Sequence, residues 1–246
     1  MEKYSVLLTV DAEKFSTHRD TDLPRLHMEI RHALVAACAA SGLAEIWRSI
    51  RFLESTGDGL LAILPHEATP ALIDRFPLQL QNALAAVAPE LRAAGLRLRL
   101  RVALHAGLVD DARPEAPGVS ATTVGVCRLL DSEPLKEALR RSDPEVTFVA
   151  FALSEEVFTK YVVGGRTTLR PSQFTPMHVT RKQFSGNAYL YVPTPSTRQE
   201  PAPDAARPAT PAPPGGISVR GTRIRGKGNQ NIIGNNVNGD LNAESS

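Results

Sequence analysis

Two carboxylates in this chain stand where a ligand could reach them. Asp58 lies between Gly57 and Gly59 in the stretch RFLESTGDGLLAILP, residues 51–65. Ile50, Phe52 and Leu53, and then Leu60 to Leu64, read as two short strands joined by a Gly-containing loop, which predicts a hairpin. Flanking glycines let the backbone at such a tip come close to a ligand. Asp11 follows the apolar run Tyr4–Val10, so a second carboxylate is expected at the carboxyl end of a buried strand. Taken alone, GDG is a weak signal and more often marks a turn aspartate bonded to its own backbone. The chemistry depends on what else converges on that tip.

Other reactive side chains read more simply. The segment LRLRLRVAL alternates, with Leu96, Leu98, Leu100, Val102 and Leu104 on one face and Arg97, Arg99 and Arg101 on the other. This predicts a half-buried strand with a solvated arginine face. His105, at the end of that strand, reads as a structural polar residue. Cys38 and Cys127 lie among small or apolar neighbours and have no CxxC or Cys/His spacing. They are expected as buried thiols, neither a disulfide nor a metal pair.

The elements that must position these residues alternate strand and helix. After the strand Tyr4–Val10, the spacing of Leu23, Leu26, Ile30, Leu34 and Ala37 predicts a helix over 21–43, stopped near Gly42. Thr69-Pro70 opens a helix running to about Ala94, with Pro77 expected to kink or split it. Val124–Arg140 is helical with a break at Pro134, and Val146–Leu153 is a strand. Ser154 caps the helix SEEVFTKYVV. His178–Lys182 and Ala188–Val192 predict a hairpin turning through Ser185-Gly186-Asn187. The order is β-α-ββ-α-β, then α-β and a terminal hairpin. It points to an α+β fold with a ferredoxin-like βαββαβ core and helices on one sheet face.

Composition sets the remaining bounds. No apolar run reaches membrane-spanning length, and the opening MEKYSVLLTVDAEKF predicts no secretory signal, so a cytoplasmic protein without a membrane partner is expected. Residues 193–246 hold six Lys/Arg and four acids, which leaves 22 of each sign in residues 1–192. A neutral globular part argues against a general nucleic-acid-binding domain. Three segments are expected: a domain over 1–192, a disordered Pro/Ala-rich linker over 193–216 with eight prolines, and a Gly/Asn-rich β-prone tail over 217–246.

Three separated pieces share a resemblance. VLLTVDAEKFS resembles the first strand and aspartate turn of class III nucleotidyl cyclases, ESTGDGLLAIL their hairpin with the second aspartate, and RVALHAGLV their following strand, usually R-[VI]-[GA]-[IL]-H-x-G. The order and spacing match over roughly residues 3–192. The stretch CRLLDSEPLKEAL…ALSEEVF further resembles an actinobacterial subfamily of such domains. The resemblance implies a head-to-tail homodimer in which Asp11 and Asp58 hold two Mg²⁺ or Mn²⁺ ions. It also implies that the backbone of Ala12, Glu13, Lys14, Phe15 and Ser16 cradles the triphosphate of a purine nucleotide. Hard oxygen ligands at adjacent strand ends suit such cations. Glu54 matches the purine-contacting position; a carboxylate there can accept from guanine N1–H and N2–H₂ and leans toward guanine. Arg128 matches the catalytic arginine that stabilises the transition state, and Arg181 or Lys182 falls near a basic residue contacting the terminal phosphates.

Two positions depart from that pattern. The ribose-orienting Asn, four residues before the arginine, is Val124, which makes no side-chain hydrogen bond. A second purine-selecting position falls at about Pro117. Losing the groups that orient the sugar forfeits much of the rate. The sequence therefore favours a nucleotide- and metal-binding sensor over an active, guanylyl-leaning cyclase, with a ligand-free dimerisation module as a third reading. The tail, GNQNIIGNNVNGD, resembles the amyloid-type, RHIM-like signalling motifs of bacterial immune-like proteins. Ile224, Ile232, Ile233, Val237 and Leu241 would face inward in a stacked assembly, and residues 217–242 would meet a partner protein. A disordered polar tail remains the alternative.

Overall fold

The computed structural model describes residues 1–181 and 184–198. The remainder of the expected linker, and the whole of the tail over 217–246, lie outside the described residues. The helices and strands run β1 (Lys3–Ala12), α1 (Leu23–Ala40), α2 (Ala44–Arg48), β2 (Phe52–Ser55), β3 (Gly59–Pro65), α3 (Thr69–Asp74), α4 (Phe76–Ala93), β4 (Leu100–Val109), α5 (Ala121–Leu130), α6 (Glu133–Arg141), β5 (Val149–Ser154), α7 (Glu155–Val157), β6 (Thr175–Arg181) and β7 (Phe184–Tyr191). A π-helical turn, Phe158–Val163, continues α7.

The strands form one seven-stranded sheet in the order β2-β3-β1-β4-β5-β7-β6. Its first four strands are the ferredoxin-like core, with β1 pairing antiparallel to both β3 and β4. β5 joins β4 in parallel after the α5–α6 crossover, and the β6–β7 hairpin completes the far edge.

β1 reads as a continuous apolar run because both of its faces are covered. Val6, Leu8 and Val10 pack with residues of α1 and α4, whereas Leu7 packs on the opposite face with Val126 and Leu129 of α5 and Leu135 and Leu139 of α6. The expectation of helices on a single face is thus corrected: α5 and α6 cover the second. The long helix over 69–94 is two helices broken at Arg75, with Pro77 in the first turn of α4, where its missing N–H removes no bond. Pro134 likewise opens α6.

At the far edge, Ser185, Gly186 and Asn187 lie within β7, opposite Thr180, Val179 and His178. They are paired strand residues, so the turn expected through them is not there. The chain also stays bonded to the domain beyond the sheet. Thr147 Oγ1 donates to the Thr194 carbonyl at 2.6 Å, and the Arg198 amide donates to the Arg141 carbonyl at 2.7 Å. Cys38 is buried and Cys127 is exposed, which corrects the expectation of two buried thiols. No helix among the described residues is long and apolar enough to cross a membrane.

Candidate functional site

The GDG tip is built by two glycines that serve different ends. Gly57 has φ +93°, a conformation strained for any side chain. Gly59 faces β1 so closely that an added Cβ would lie 1.8 Å from the Val10 carbonyl oxygen. This contact lets the Ala12 amide donate to the Asp58 carbonyl at 2.9 Å and pairs Asp11 with Gly59 in the ladder. The end of β1 and the hairpin tip are therefore locked together, each carrying its aspartate.

The two carboxylates feel each other. Burial pushes the Asp11 carboxyl up to about 6, with Asp58 adding to the rise while the Arg101 guanidinium and Lys136 oppose it. Arg101 is Asp11's cross-strand neighbour on β4. Its Nε donates to Oδ1 and its Nη2 to Oδ2, both at 2.8 Å. A second rung follows. The Glu13 amide donates to the Arg99 carbonyl at 2.9 Å, and Arg99 Nη1 donates to Glu13 Oε2 at 2.9 Å. Arg99 is 7% exposed and also donates to the Thr147 and Leu139 carbonyls.

The solvated arginine face expected of this strand is therefore overturned for two of its three members. Only Arg97 is largely exposed, and it pairs with Glu145. A signal for this was in the sequence. Acids two residues apart, Asp11 on β1 and Glu13 just past it, match arginines two residues apart, Arg101 on β4 and Arg99 just before it, and antiparallel neighbours bring such spacings together rung for rung.

Several residues near the tip remain open to a ligand. Asp58 is half-buried and borders an open cavity of about 780 Å³, lined in part by Phe15, Leu23, Pro24 and Met28. His27 also lines it, and its buried Nδ1 has no hydrogen-bond partner among the described residues. In the loop after β1, the Ala12 and Glu13 amides are already donated within the fold. Lys14, Phe15 and Ser16 enter the 3-10 turn Phe15–Thr17, whose first N–H groups lack intrahelical partners. Among the described residues, no three or more His, Cys, Asp or Glu side chains cluster as a metal cage. The donors are two carboxylates, a set that suits a hard cation whose shell is completed by phosphate oxygens and waters.

The architecture has known counterparts. It is similar to the guanylyl cyclase Cya2, with TM-score 0.55 and 13% identity over 81% of this chain and 95% of that one. It also resembles the adenylyl cyclase CyaB from P. aeruginosa, with TM-score 0.53 and 11% identity over 81% and 97%. A bacterial light-regulated adenylyl cyclase gives TM-score 0.52 and 16% identity over 77% and 90%. The fold is that of a class III nucleotidyl cyclase domain. No protein-family model and no curated protein sequence matches the chain.

The other residues singled out lie at scattered positions on this cyclase fold. Glu54 is exposed on β2 and pairs with Leu61. Strand alternation places it on the face that carries Phe52, Leu61 and, across the sheet, Asp11. Arg128 sits in the last turn of α5, partly buried, with no hydrogen bond or ion pair among the described residues. Val124, one turn earlier, is 45% exposed, so packing does not dictate its apolar side chain. Pro117 is exposed in the loop before α5. Arg181 ends β6, the edge strand opposite β2, and is not brought to Asp11 within one subunit. Lys182 lies outside the described residues. His105 behaves as a structural residue: its Nδ1 lies 2.9 Å from Ser154 Oγ, and burial lowers its pKa.

Proposed function

We propose that this domain binds a purine nucleoside triphosphate together with Mg²⁺ or Mn²⁺ as a homodimer, and signals its occupancy through the C-terminal tail over 217–242. The observation that carries the reading is the mutual placement of Asp11 and Asp58, fixed by the Ala12–Asp58 backbone bond on a cyclase fold. Two carboxylates that repel each other are relieved by a divalent cation, and this donor pair fits one whose shell is completed by phosphates. Asp11 and Asp58 would hold the cation. Once bound, it would neutralise charge on the phosphates.

This chain's own groups supply the rest. The amides of Lys14, Phe15 and Ser16 are available to phosphate oxygens, and Arg101, held against Asp11, keeps a guanidinium on the same face. Glu54 suits guanine by accepting from its N1–H and N2–H₂. Arg181, at the end of the edge strand β6, would serve only from the second subunit, with Lys182 beside it in sequence; the same holds for Arg128, which has no ion pair among the described residues. The expected setting is the cytoplasm.

Binding is favoured over turnover by Val124, exposed one turn before Arg128 and unable to hydrogen-bond a ribose. The second reading, an active guanylyl-leaning cyclase, draws on Glu54 and Arg128, neither of which has an ion pair among the described residues. Incubation of the purified chain with each nucleoside triphosphate and Mn²⁺ separates the two. The sensor reading predicts no cyclic product from wild type; cyclic product that is abolished by Asp58→Ala would replace it with the enzyme.

A further inference from the structure

Beyond the Asp11–Asp58 site, the Glu13–Arg99 rung borders a separate cleft of about 290 Å³. Lys14, His18, Arg97, Arg99, Arg140 and Arg198 line it, and Glu13 is the only acid among its lining residues. Glu13 is already engaged by Arg99 at 2.9 Å. Arg97 is held from outside the cleft by Glu145, which also takes Arg92, and Arg140 by Glu133 and Glu137. Lys14 and Arg198 have no ion pair among the described residues. Positive charge is therefore concentrated here beyond what the protein's own carboxylates offset.

Two further observations point the same way. Lys14 has φ +57°, the only non-glycine residue with positive φ among the described residues. A left-handed lysine is strained by about 1 kcal/mol or more, yet it is kept at the cleft's rim. Arg198 arrives on the strap that follows β7, fastened by its own amide to Arg141 and by Ser196 Oγ, which accepts from the Asp143 amide at 2.9 Å. Burial lowers the pKa of Arg99; Glu13 and, more weakly, Asp143 oppose the fall, and the Arg198 charge adds to it. Like charges are thus packed together with an open volume between them.

We propose that this cleft is a second anion site, taking a compact phosphoryl anion of pyrophosphate size. Planar guanidinium groups suit phosphate oxygens, to which they can donate in pairs, and the volume admits a diphosphate without a nucleoside. Such an anion joins Lys14, three residues after Asp11, to Arg198, the last of the described residues. Occupancy therefore ties the strap that leads to the tail to the loop beside the nucleotide site. The proposal does not need a nucleotide at Asp58, and its test separates the two sites.

The probe is inorganic pyrophosphate, titrated calorimetrically into the full chain with a chelator present so that no divalent cation contributes. Wild type is expected to bind, with affinity falling as salt rises. The double variant Arg140→Ala/Arg198→Ala should weaken binding by roughly tenfold or more, and Asp58→Asn should leave it unchanged. Both changed arginines are at the surface, and circular dichroism verifies folding; Arg97→Ala gives an independent second reading in the same direction. Absence of binding to wild type, or unaltered affinity in the double variant, overturns the proposal. Loss on Asp58→Asn with retention in the double variant assigns the anion to the nucleotide site and also overturns it.

Discussion

Arg101 grips Asp11 across the β1–β4 pairing with two parallel hydrogen bonds of 2.8 Å, on side chains that are only 14% and 15% exposed. The cation that balances the candidate metal ligand is therefore part of the fold itself. Removing one partner of a mostly buried ion pair strands the other's charge, whereas replacing both by apolar groups often has little net effect. Arg101→Leu is expected to destabilise the domain by about 3 kcal/mol, read as a shift in the urea midpoint. The double change Asp11→Leu/Arg101→Leu should recover most of that loss. Strictly additive effects would show that the pair is not coupled.

The hairpin makes a ranked prediction. Gly59→Ala would drive a methyl group into the Val10 backbone, which cannot move without breaking the β1–β3 ladder. Gly57→Ala meets nothing within 4 Å and suffers only its positive φ. The expected losses are about 3 kcal/mol or more for Gly59→Ala and about 1–2 kcal/mol for Gly57→Ala, measured by thermal unfolding. The reverse order would mean that the close approach to Val10 is not what fixes the tip.

His105 supplies a pH dependence of known sign. Burial, opposed weakly by Glu156, holds its folded pKa below the ordinary 6.5. A base depressed in the folded state contributes stability above its unfolded pKa and loses it as pH falls through that value toward the folded one. The His105 share of stability should fall as pH drops below the ordinary 6.5, while Asp11, pushed up to about 6, changes in the opposite sense, so on acidification wild type should lose more stability, or gain less, than His105→Gln. Parallel curves for the two proteins would remove His105 from the account.

Much of this was legible in the sequence, for reasons that particular residues make plain. Alternation over 96–104 gave the buried leucine face, because a period of two survives any packing arrangement. What the arginines do was not legible from their own strand. Arg99 became buried and Arg101 part-buried because Glu13 and Asp11 arrive beside them from the end of β1 and just past it, and the Leu139 carbonyl of α6 and the following Ser142 roof Arg99. The two-faced sheet was missed for a related reason: helix periodicity says which side of a helix is apolar, not which side of a sheet it covers. The Ser185–Asn187 turn was misplaced because Gly186 and Asn187 signal a turn equally well when they sit inside an edge hairpin. The Asp11–Asp58 meeting was anticipated through motif order, and the backbone bond from Ala12 to Asp58 gives it a physical cause.

The most direct test of the central claim is calorimetric titration of the purified full chain with GTP, in the presence and absence of Mn²⁺, for wild type and Asp58→Ala. Wild type is expected to bind GTP in a metal-dependent way, and Asp58→Ala to weaken that binding by roughly tenfold or more, since it removes one of only two carboxylate donors. Metal-independent binding, no binding, or an affinity untouched by the substitution would contradict the assignment of Asp11 and Asp58 as a nucleotide–metal site.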